Sequence, residues 1–298
     1  MPLDVSVIIP AYRAETTIGR ALKSVAAQTA PPREVIVVDD GSPDGTAAAA
    51  ESCRAEMRDI ALKVVRQKNA GAGAARNRAV QNATSTFVAF LDADDEWLPE
   101  KLEQSFDVLN GKNLDLVSHN YDAVGPDGSV SRVDCAARFR EGPDPFVTLY
   151  RKGYLSTSTL ITRRDLVLDA GGFDTTLANA QDFDLWLAIL QNGERSFEVF
   201  DGTLTRYHVT EGSITANTER RIRCCLDVAL RFAPALKSGR YVNLWTRTLA
   251  VYLEACRAYH SHNQSLRALW AALRAVPALI CITANSAFST PPPRRRNL

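Results

Sequence analysis

The chain has 298 residues, 46% of them hydrophobic and 23% charged, with 35 Lys and Arg against 34 Asp and Glu. A net charge of +1 excludes a bulk field that would pull the whole protein to nucleic acid, and the composition excludes a disordered or fibrous chain. The length suffices to bury a full core.

The six cysteines show no CxxC pair and no small-domain framework, so they fit a reducing compartment as packed thiols. The N-terminus opens on a strand-like segment without a basic start and apolar run, so no signal peptide is expected. No stretch reaches about 18 uninterrupted apolar residues. A cytoplasmic location is the expectation.

Val5-Ser6-Val7-Ile8-Ile9 is a β-branched run stopped by Pro10 and predicts a buried first strand. Ile18, Ala21, Leu22 and Val25 recur at helical spacing, and Pro31-Pro32 ends that helix. Glu34 to Val38 predicts a second strand running into Asp39-Asp40-Gly41-Ser42, and Leu62 to Val65 a third after an Ala-rich helix. The turn Asn69-Ala70-Gly71-Ala72-Gly73 leads into a helix ending near Asn82. Phe87 to Leu91 then predicts a fourth strand that stops at Asp92-Ala93-Asp94-Asp95. This short alternation predicts right-handed βαβ crossovers and a mainly parallel sheet.

A helix is expected from Pro99 to about Asn110, then a strand over Leu114–Ser118. The Gly- and Pro-rich stretch 125–145 reads as loops with a hairpin at Pro126–Ser129. A strand over Thr157–Thr162 and a helix over Arg163–Ala170, closed by Gly171-Gly172, follow. Gln181–Gln191 predicts an amphipathic helix with Phe183, Trp186, Leu187 and Leu190 inward and Asp184 on the solvated side. Helices are expected over 218–236, 240–260 and 264–288, with Pro277 breaking the last, before a tail, 291–298, expected to be disordered.

Two strands end in carboxylates, and parallel strands open their carboxyl ends on one edge, where such sheets take ligands. Asp92, Asp94 and Asp95 repel one another unless neutralised. A hard divalent cation completed by substrate phosphates does this, while an acidic helix-capping turn is the alternative. Asp40 suits a base or ribose, though Asp40-Gly41-Ser42 is also a plain turn. Gly71-Ala72-Gly73-Ala74-Ala75-Arg76 is a near match to a dinucleotide fingerprint, with Asp92 some 20 residues on. Its third position is Arg76, however, and it follows the third strand, so a helix N-terminus carrying a cation near a phosphate or pyrimidine is the simpler use. Asp182 suits the helix macrodipole, or a proton acceptor if that helix end abuts the metal site.

Together, Val5–Tyr12, Val37–Ser42, Asn69–Gly71 with Ala75–Asn77, Phe90–Asp95, Gly171–Asp174 and Gln181-Asp182 resemble a family 2 glycosyltransferase of the GT-A fold. The likeness spans roughly residues 3–215. It implies a GT-A catalytic domain over 1–215, a Rossmann-like α/β unit with flanking helices, followed by a C-terminal helical region over 216–290. The resemblance implies an inverting enzyme that uses a nucleotide-diphosphate sugar, UDP-linked by prior, with Mn²⁺ or Mg²⁺. It makes Asp94 the metal ligand, Asp92 a contact near the ribose, and Pro10, Tyr12, Asp40 and Arg76 nucleotide contacts. Asp182 becomes the general base. Gln181 stands where the family usually has Glu, and His208 and Thr210 stand where it often has Arg and His, which puts a further metal or diphosphate ligand in question. No Gln-x-x-Arg-Trp occurs, so single-sugar addition is expected.

The implied partners are a nucleotide-sugar donor and a lipid-linked saccharide acceptor in exopolysaccharide or cell-surface glycan synthesis, at the inner face of the membrane. Leu266, Leu269, Trp270, Leu273 and Val276, with Arg267 and Arg274, form a stripe for a peripheral membrane contact or homodimer. Packing of that stripe inside protein is the default. Two other readings stay open at this point. One is an NAD-binding oxidoreductase using Gly71–Gly73 and Asp92, and the other a catalytically silent sugar-nucleotide-binding protein.

Overall fold

The computed structural model describes residues 2–209, 217–261, 263–288 and 293–298. The first half contains β1 (Leu3–Ala11), α1 (Ile18–Ala26), β2 (Pro32–Asp39), α2 (Thr46–Ser52), β3 (Ala61–Arg66), α3 (Ala72–Asn82), β4 (Phe87–Phe90), β5 (Glu96–Trp97) and α4 (Lys101–Gly111). Then come β6 (Leu116–Val124), β7 (Val130–Val133), α5 (Cys135–Phe139), α6 (Pro145–Lys152), β8 (Ile161–Arg163), α7 (Arg164–Asp169), α8 (Gln181–Leu190) and β9 (Phe197–His208). The C-terminal helices are α9 (Thr218–Phe232), α10 (Arg240–Ser261) and α11 (Ser265–Phe288).

The strands form one nine-stranded sheet in the order β3-β2-β1-β4-β8-β6-β9-β5, with β7 paired to β6. β3, β2, β1 and β4 are mutually parallel, as the β-branched runs predict. Register sets Ala11 beside Asp39 and Ile8 beside Phe90, so the acidic ends of β2 and β4 lie on one edge flanking the end of β1. The other half is mixed. β8 runs antiparallel between β4 and β6, β6 and β9 are parallel, and β5 and β7 pair antiparallel to β9 and β6. The sheet is therefore parallel only in part. Thr157–Thr159, expected as strand, is a 3₁₀ turn. Within 125–145 the hairpin forms as expected, and two short helices follow it, capped by Asp134 and Asp144.

β1 is buried on both faces because the sheet is covered twice. Val7 and Ile9 join Leu22 and Val25 of α1 and Leu102 and Phe106 of α4. Ile8 joins Val80 of α3 and Phe173 and Trp186, the last on α8. Edge-to-face contacts of Phe90 with Phe173 and Trp186, at 5.6 and 5.5 Å, tie the strand that carries the acidic turn to α8.

Below the opposite end of the sheet, Glu34 is buried at the β2 margin. Ser6 Oγ, Thr84 N and Thr84 Oγ1 donate to its Oε1 at 2.7, 2.7 and 2.8 Å, and Lys63 Nζ to its Oε2 at 2.5 Å. Burial alone would raise this carboxyl, but those donors outweigh it and hold it down at about 2. A depressed carboxylate stabilises the fold above its unfolded pKa, and that stability is lost as pH falls through the folded value. Glu34 is thus expected to contribute about 3 kcal/mol at neutral pH, lost between about pH 4.5 and 2. Acid titration of unfolding free energy on Glu34→Gln tests this: a profile as steep as wild type through that window would refute it.

The helical region is seated on the catalytic part. Cys224, Val228, Ala229 and Phe232 of α9 enter the main core, and Tyr150 Oη of α6 donates to the Ala229 carbonyl at 2.8 Å. α11 runs through Pro277, which was expected to break it. Leu273 and Pro277 both face outward, so the hydrogen bond that proline cannot donate is lost on the side open to solvent. The tail also departs from expectation. From 293 on it lies against the loop 171–175. Asn297 N donates to Gly171 O at 2.8 Å, Asn297 Nδ2 to Phe173 O at 3.0 Å, and Arg294 pairs with Asp184 at 2.6 Å. Composition signals disorder in a Pro- and Arg-rich end, but it does not register a buried carboxylate waiting for a cation.

Candidate active site

The site is assembled on the shared edge from four pieces: the end of β1, the loop into α3, the acidic turn after β4, and the start of α8. Pro10 is buried within β1, and Tyr12 just beyond it is 46% exposed. Asp40 is buried and holds the loop. Its Oδ1 accepts from Gln67 Nε2 at 2.7 Å and Ala70 N at 2.9 Å, and its Oδ2 from Gly71 N at 2.8 Å. Its carboxylate is thus spent on fixing the entry to α3.

The two glycines of the near-fingerprint have separate structural uses. Gly71 has a φ of +92°, a conformation that side chains disfavour. A Cβ on Gly73 would lie 2.9 Å from Gln181 Oε1, so its absence lets the start of α3 approach the start of α8. One turn on, Arg76 is nearly buried. Its Nη2 pairs with Asp92 Oδ1 at 2.5 Å, and its guanidinium lies 5.4 Å from the Phe173 ring. Burial alone would weaken the hold of Arg76 on its proton. The charges of Asp92, Asp182 and Asp94 overcome this and tighten it. One cation therefore senses three of the expected site carboxylates at once.

Within the acidic turn the carboxylates have different tasks. Asp95 is fully buried. It accepts from Ser158 Oγ and from His208 N, the latter at 3.0 Å, and burial, then Asp92 and Asp94, push its carboxyl well up. Ser158 Oγ also accepts from Asp92 N at 3.1 Å, so one serine braces both ends of the turn. Asp92 is neutralised by Arg76, and Asp94, two residues on, is partly exposed. Among the described residues no cluster of three or more His, Cys, Asp or Glu forms a metal cage. Mg²⁺ and Mn²⁺ bind through one or two carboxylates and complete their shell with phosphate oxygens and water. His208 turns its Nε2 toward Glu96 at 3.5 Å, and Thr210 lies outside the described residues. A cavity of about 620 Å³ opens beside α1, lined by Arg20, Lys23, Glu96, Trp97 and Arg206. It reaches the site through Arg20, which donates to the Asp94 carbonyl, and through Glu96, which faces His208.

Asp182 stands in the first turn of α8, whose N-cap Ala180 takes a φ of +58°. Its Oδ2 accepts from Thr157 Oγ1 at 2.9 Å, and the side chain stays partly open. Asp184, expected on the solvated side, is fully buried instead. Arg231 of α9 and Arg294 of the tail both reach it, and Arg231 also pairs with Asp174 at 3.0 Å. α8 is covered all round, so its flank finds these cations where a surface helix would find water.

Several supporting residues carry no local sequence signal. Asn77 clamps Phe173, accepting from its N at 2.7 Å and donating to its O at 2.9 Å. Thr157, Ser158, Asp174 and Arg231 likewise act through partners far along the chain.

A family model described as glycosyl transferase family 2 matches residues 6–168, more than half of the chain. The chain belongs to glycosyltransferase family 2. It is 28% identical over 225 residues to the Escherichia coli UDP-Glc:α-D-GlcNAc-diphosphoundecaprenol β-1,3-glucosyltransferase WfgD, covering 75% of this chain and 84% of that one. It is 32% identical over 225 residues to the Rhizobium meliloti succinoglycan biosynthesis protein ExoO, 71% of this chain and 62% of that one. Among solved structures it resembles S. aureus TarS 1–349 in complex with UDP-GlcNAc (TM-score 0.66, 24% identity, 95% of this chain and 84% of that chain). It also resembles the Pyrobaculum calidifontis mannosyltransferase PcManGT in complex with GDP-Man and Mn²⁺ (TM-score 0.65, 20% identity, 97% and 88%). These likenesses establish the GT-A fold. A family 2 enzyme has no use for a dinucleotide fingerprint, and the glycines are explained by the turn and the close helix approach. The oxidoreductase reading falls.

Proposed function

We propose that this glycosyltransferase moves one sugar, with inversion, from a UDP-sugar to a hydroxyl of a lipid-linked saccharide in cell-surface glycan assembly, on the cytoplasmic side of the membrane. The observation that carries the reading is that Arg76 pairs with Asp92 while the adjacent Thr157 and Ser158 hold Asp182 and the Asp92 backbone, on the edge where parallel strands present their ligands. The uracil base and the lipid-linked acceptor draw support from the activity in WfgD's name and from the ligand bound to TarS.

In this mechanism Pro10, Tyr12 and the Asp40-braced loop border the nucleotide, Arg76 holds Asp92 in place beside it, and Asp94 would hold Mg²⁺ or Mn²⁺. That ion would supply charge neutralisation at the departing diphosphate. Asp182, steadied by Thr157 in the first turn of α8, accepts the proton of the acceptor hydroxyl as that oxygen attacks the anomeric carbon. The protein's share is positioning and preorganised charge.

Thermal unfolding against UDP, GDP, dTDP, CDP and NADH, with and without Mn²⁺, tests the reading. A ligand at a hundredfold excess over its Kd adds about 2.7 kcal/mol of stability. UDP is expected to stabilise the protein only with Mn²⁺, and Asp94→Ala is expected to abolish that gain. Stabilisation by NADH alone, or an undiminished UDP effect in Asp94→Ala, would overturn it.

A further inference from the structure

Helix α11 is largely apolar, yet little of it is covered by protein. Ala271, Ala275, Ala278 and Ile282 pack on the rest of the helical region. Arg274 Nη1 to Glu219 Oε2 at 2.8 Å and Trp245 Nε1 to Thr283 Oγ1 at 2.8 Å fasten the helix to α9 and α10. The opposite side presents Leu266, Leu269, Trp270, Leu273, Val276 and Ile280, each between 59 and 84% exposed. α10 adds Val242, Trp245, Leu249 and Leu253. The stripe therefore does not pack within the chain, as an ordinary amphipathic helix would. Scattered surface leucines need no explanation, but exposed apolar stripes on two helices joined through Trp245 and Thr283 mark an interaction surface.

Charge indicates what covers it. Residues 217–298 hold 13 Lys and Arg against 3 Asp and Glu, a net +10, whereas residues 1–216 hold 22 against 31, a net −9. Arg231 and Arg294 are taken up by the buried Asp184 and Arg247 is itself buried, while Arg257 of α10 and Arg267 of α11 stay exposed. The overall +1 hides this segregation. α11 itself has Arg267 and Arg274 and no acid, and Glu219 and Glu254 are already paired with Arg274 and Arg221. A second copy seated on this face would bring cations against cations. An anionic bilayer complements it.

With 24 residues and an 18-residue stretch of mean hydropathy 1.5, α11 is by length and composition long and apolar enough to cross a membrane. Crossing would strip it from α9 and α10 and bring Arg274 near the middle of the hydrocarbon. Lying flat keeps the Glu219 pair and sets Trp245 and Trp270 at headgroup depth, where indoles are favoured.

We propose that the α10–α11 face docks this enzyme on an anionic lipid bilayer, lying in the interface without spanning it. The inference goes beyond the donor and acceptor assignment, and it is read on vesicles that hold no acceptor, so the two can fail separately.

The full chain is mixed with phosphatidylcholine vesicles, with or without phosphatidylglycerol, and floated on a gradient. Binding is expected to be at least about tenfold greater with phosphatidylglycerol and to weaken with salt. Leu269→Glu/Leu273→Glu is expected to abolish it with the unfolding temperature kept, since both residues are exposed. Arg257→Glu/Arg267→Glu, which leaves the apolar face intact, is expected to lose the preference for phosphatidylglycerol. The vesicle-induced blue shift of tryptophan fluorescence is expected to shrink in Trp270→Phe. Absence of flotation, flotation indifferent to phosphatidylglycerol, or a dimer by light scattering that Leu269→Glu/Leu273→Glu splits would overturn the proposal.

Discussion

Asp182→Asn is expected to lower kcat about a thousandfold, some 4 kcal/mol in the barrier, while the donor Kd stays within about threefold. Asparagine keeps the size of the side chain and an oxygen to accept from Thr157 Oγ1, so the 2.9 Å contact and the first turn of α8 persist. It loses the capacity to take a proton. Because Asp182 is partly open and makes that single side-chain contact among the described residues, the unfolding temperature is expected to change little. Steady-state kinetics with donor and acceptor varied separately, alongside a thermal-shift titration with UDP and Mn²⁺, separate the two effects. Thr157→Val gives the graded control: it frees Asp182 to rotate without removing its charge, and a loss of about tenfold is expected. An Asp182→Asn enzyme that retains more than a tenth of wild-type kcat would remove Asp182 from the base role and leave the donor site untouched.

The parts of this site that sequence makes legible are those whose cause is local. The apolar runs of β1, β2 and β4 are almost fully buried because both faces of the sheet are covered, and composition within five residues shows it. The acidic turn is equally plain, since three carboxylates after a buried strand demand an explanation wherever they occur. What escapes is set by distant partners. Asp184 sits beside a clear apolar stripe, and nothing within α8 says that Arg231, 47 residues on, will meet it. β9 escapes because Asp201 and Gly202 interrupt its alternation and much of the strand is not buried. Asp40 reads equally well as a ligand contact and as a turn residue; only its three donors show how it is engaged. The stripe on α11 was visible as a pattern, but a net charge of +1 concealed the basic excess of residues 217–298.

Arg231→Met is expected to destabilise the fold by about 3 to 5 kcal/mol, because it strands buried carboxylates. Asp174 and Asp184 are both fully buried, and Arg231, itself almost covered, is the cation they share. Burial already pushes the Asp184 carboxyl up against the pull of Arg294 and Arg231, and removing one of those cations adds to that strain. Asp174 would retain Thr176, which donates from N at 3.0 Å and from Oγ1 at 2.6 Å, but no side-chain cation among the described residues. In a chain of this size the loss corresponds to a fall of about 5 to 8 °C in unfolding temperature. The effect should also reach catalysis, because Asp184 lies two residues beyond Asp182 and Asp174 adjoins the Phe173 that Asn77 clamps to α3. A misplaced base costs rate even when the donor still binds, so kcat is expected to fall about tenfold with the UDP–Mn²⁺ Kd unchanged. Asp184→Asn alone and combined with Arg231→Met completes a double-mutant cycle, and groups in direct contact are expected to couple by about 0.5 to 3 kcal/mol. The double variant should thus be less destabilised than the two single losses added together. Additive losses and a fall under about 3 °C in Arg231→Met would show that the helical region merely abuts the catalytic part. Coupling with an altered kcat would make α9 a brace of the active site.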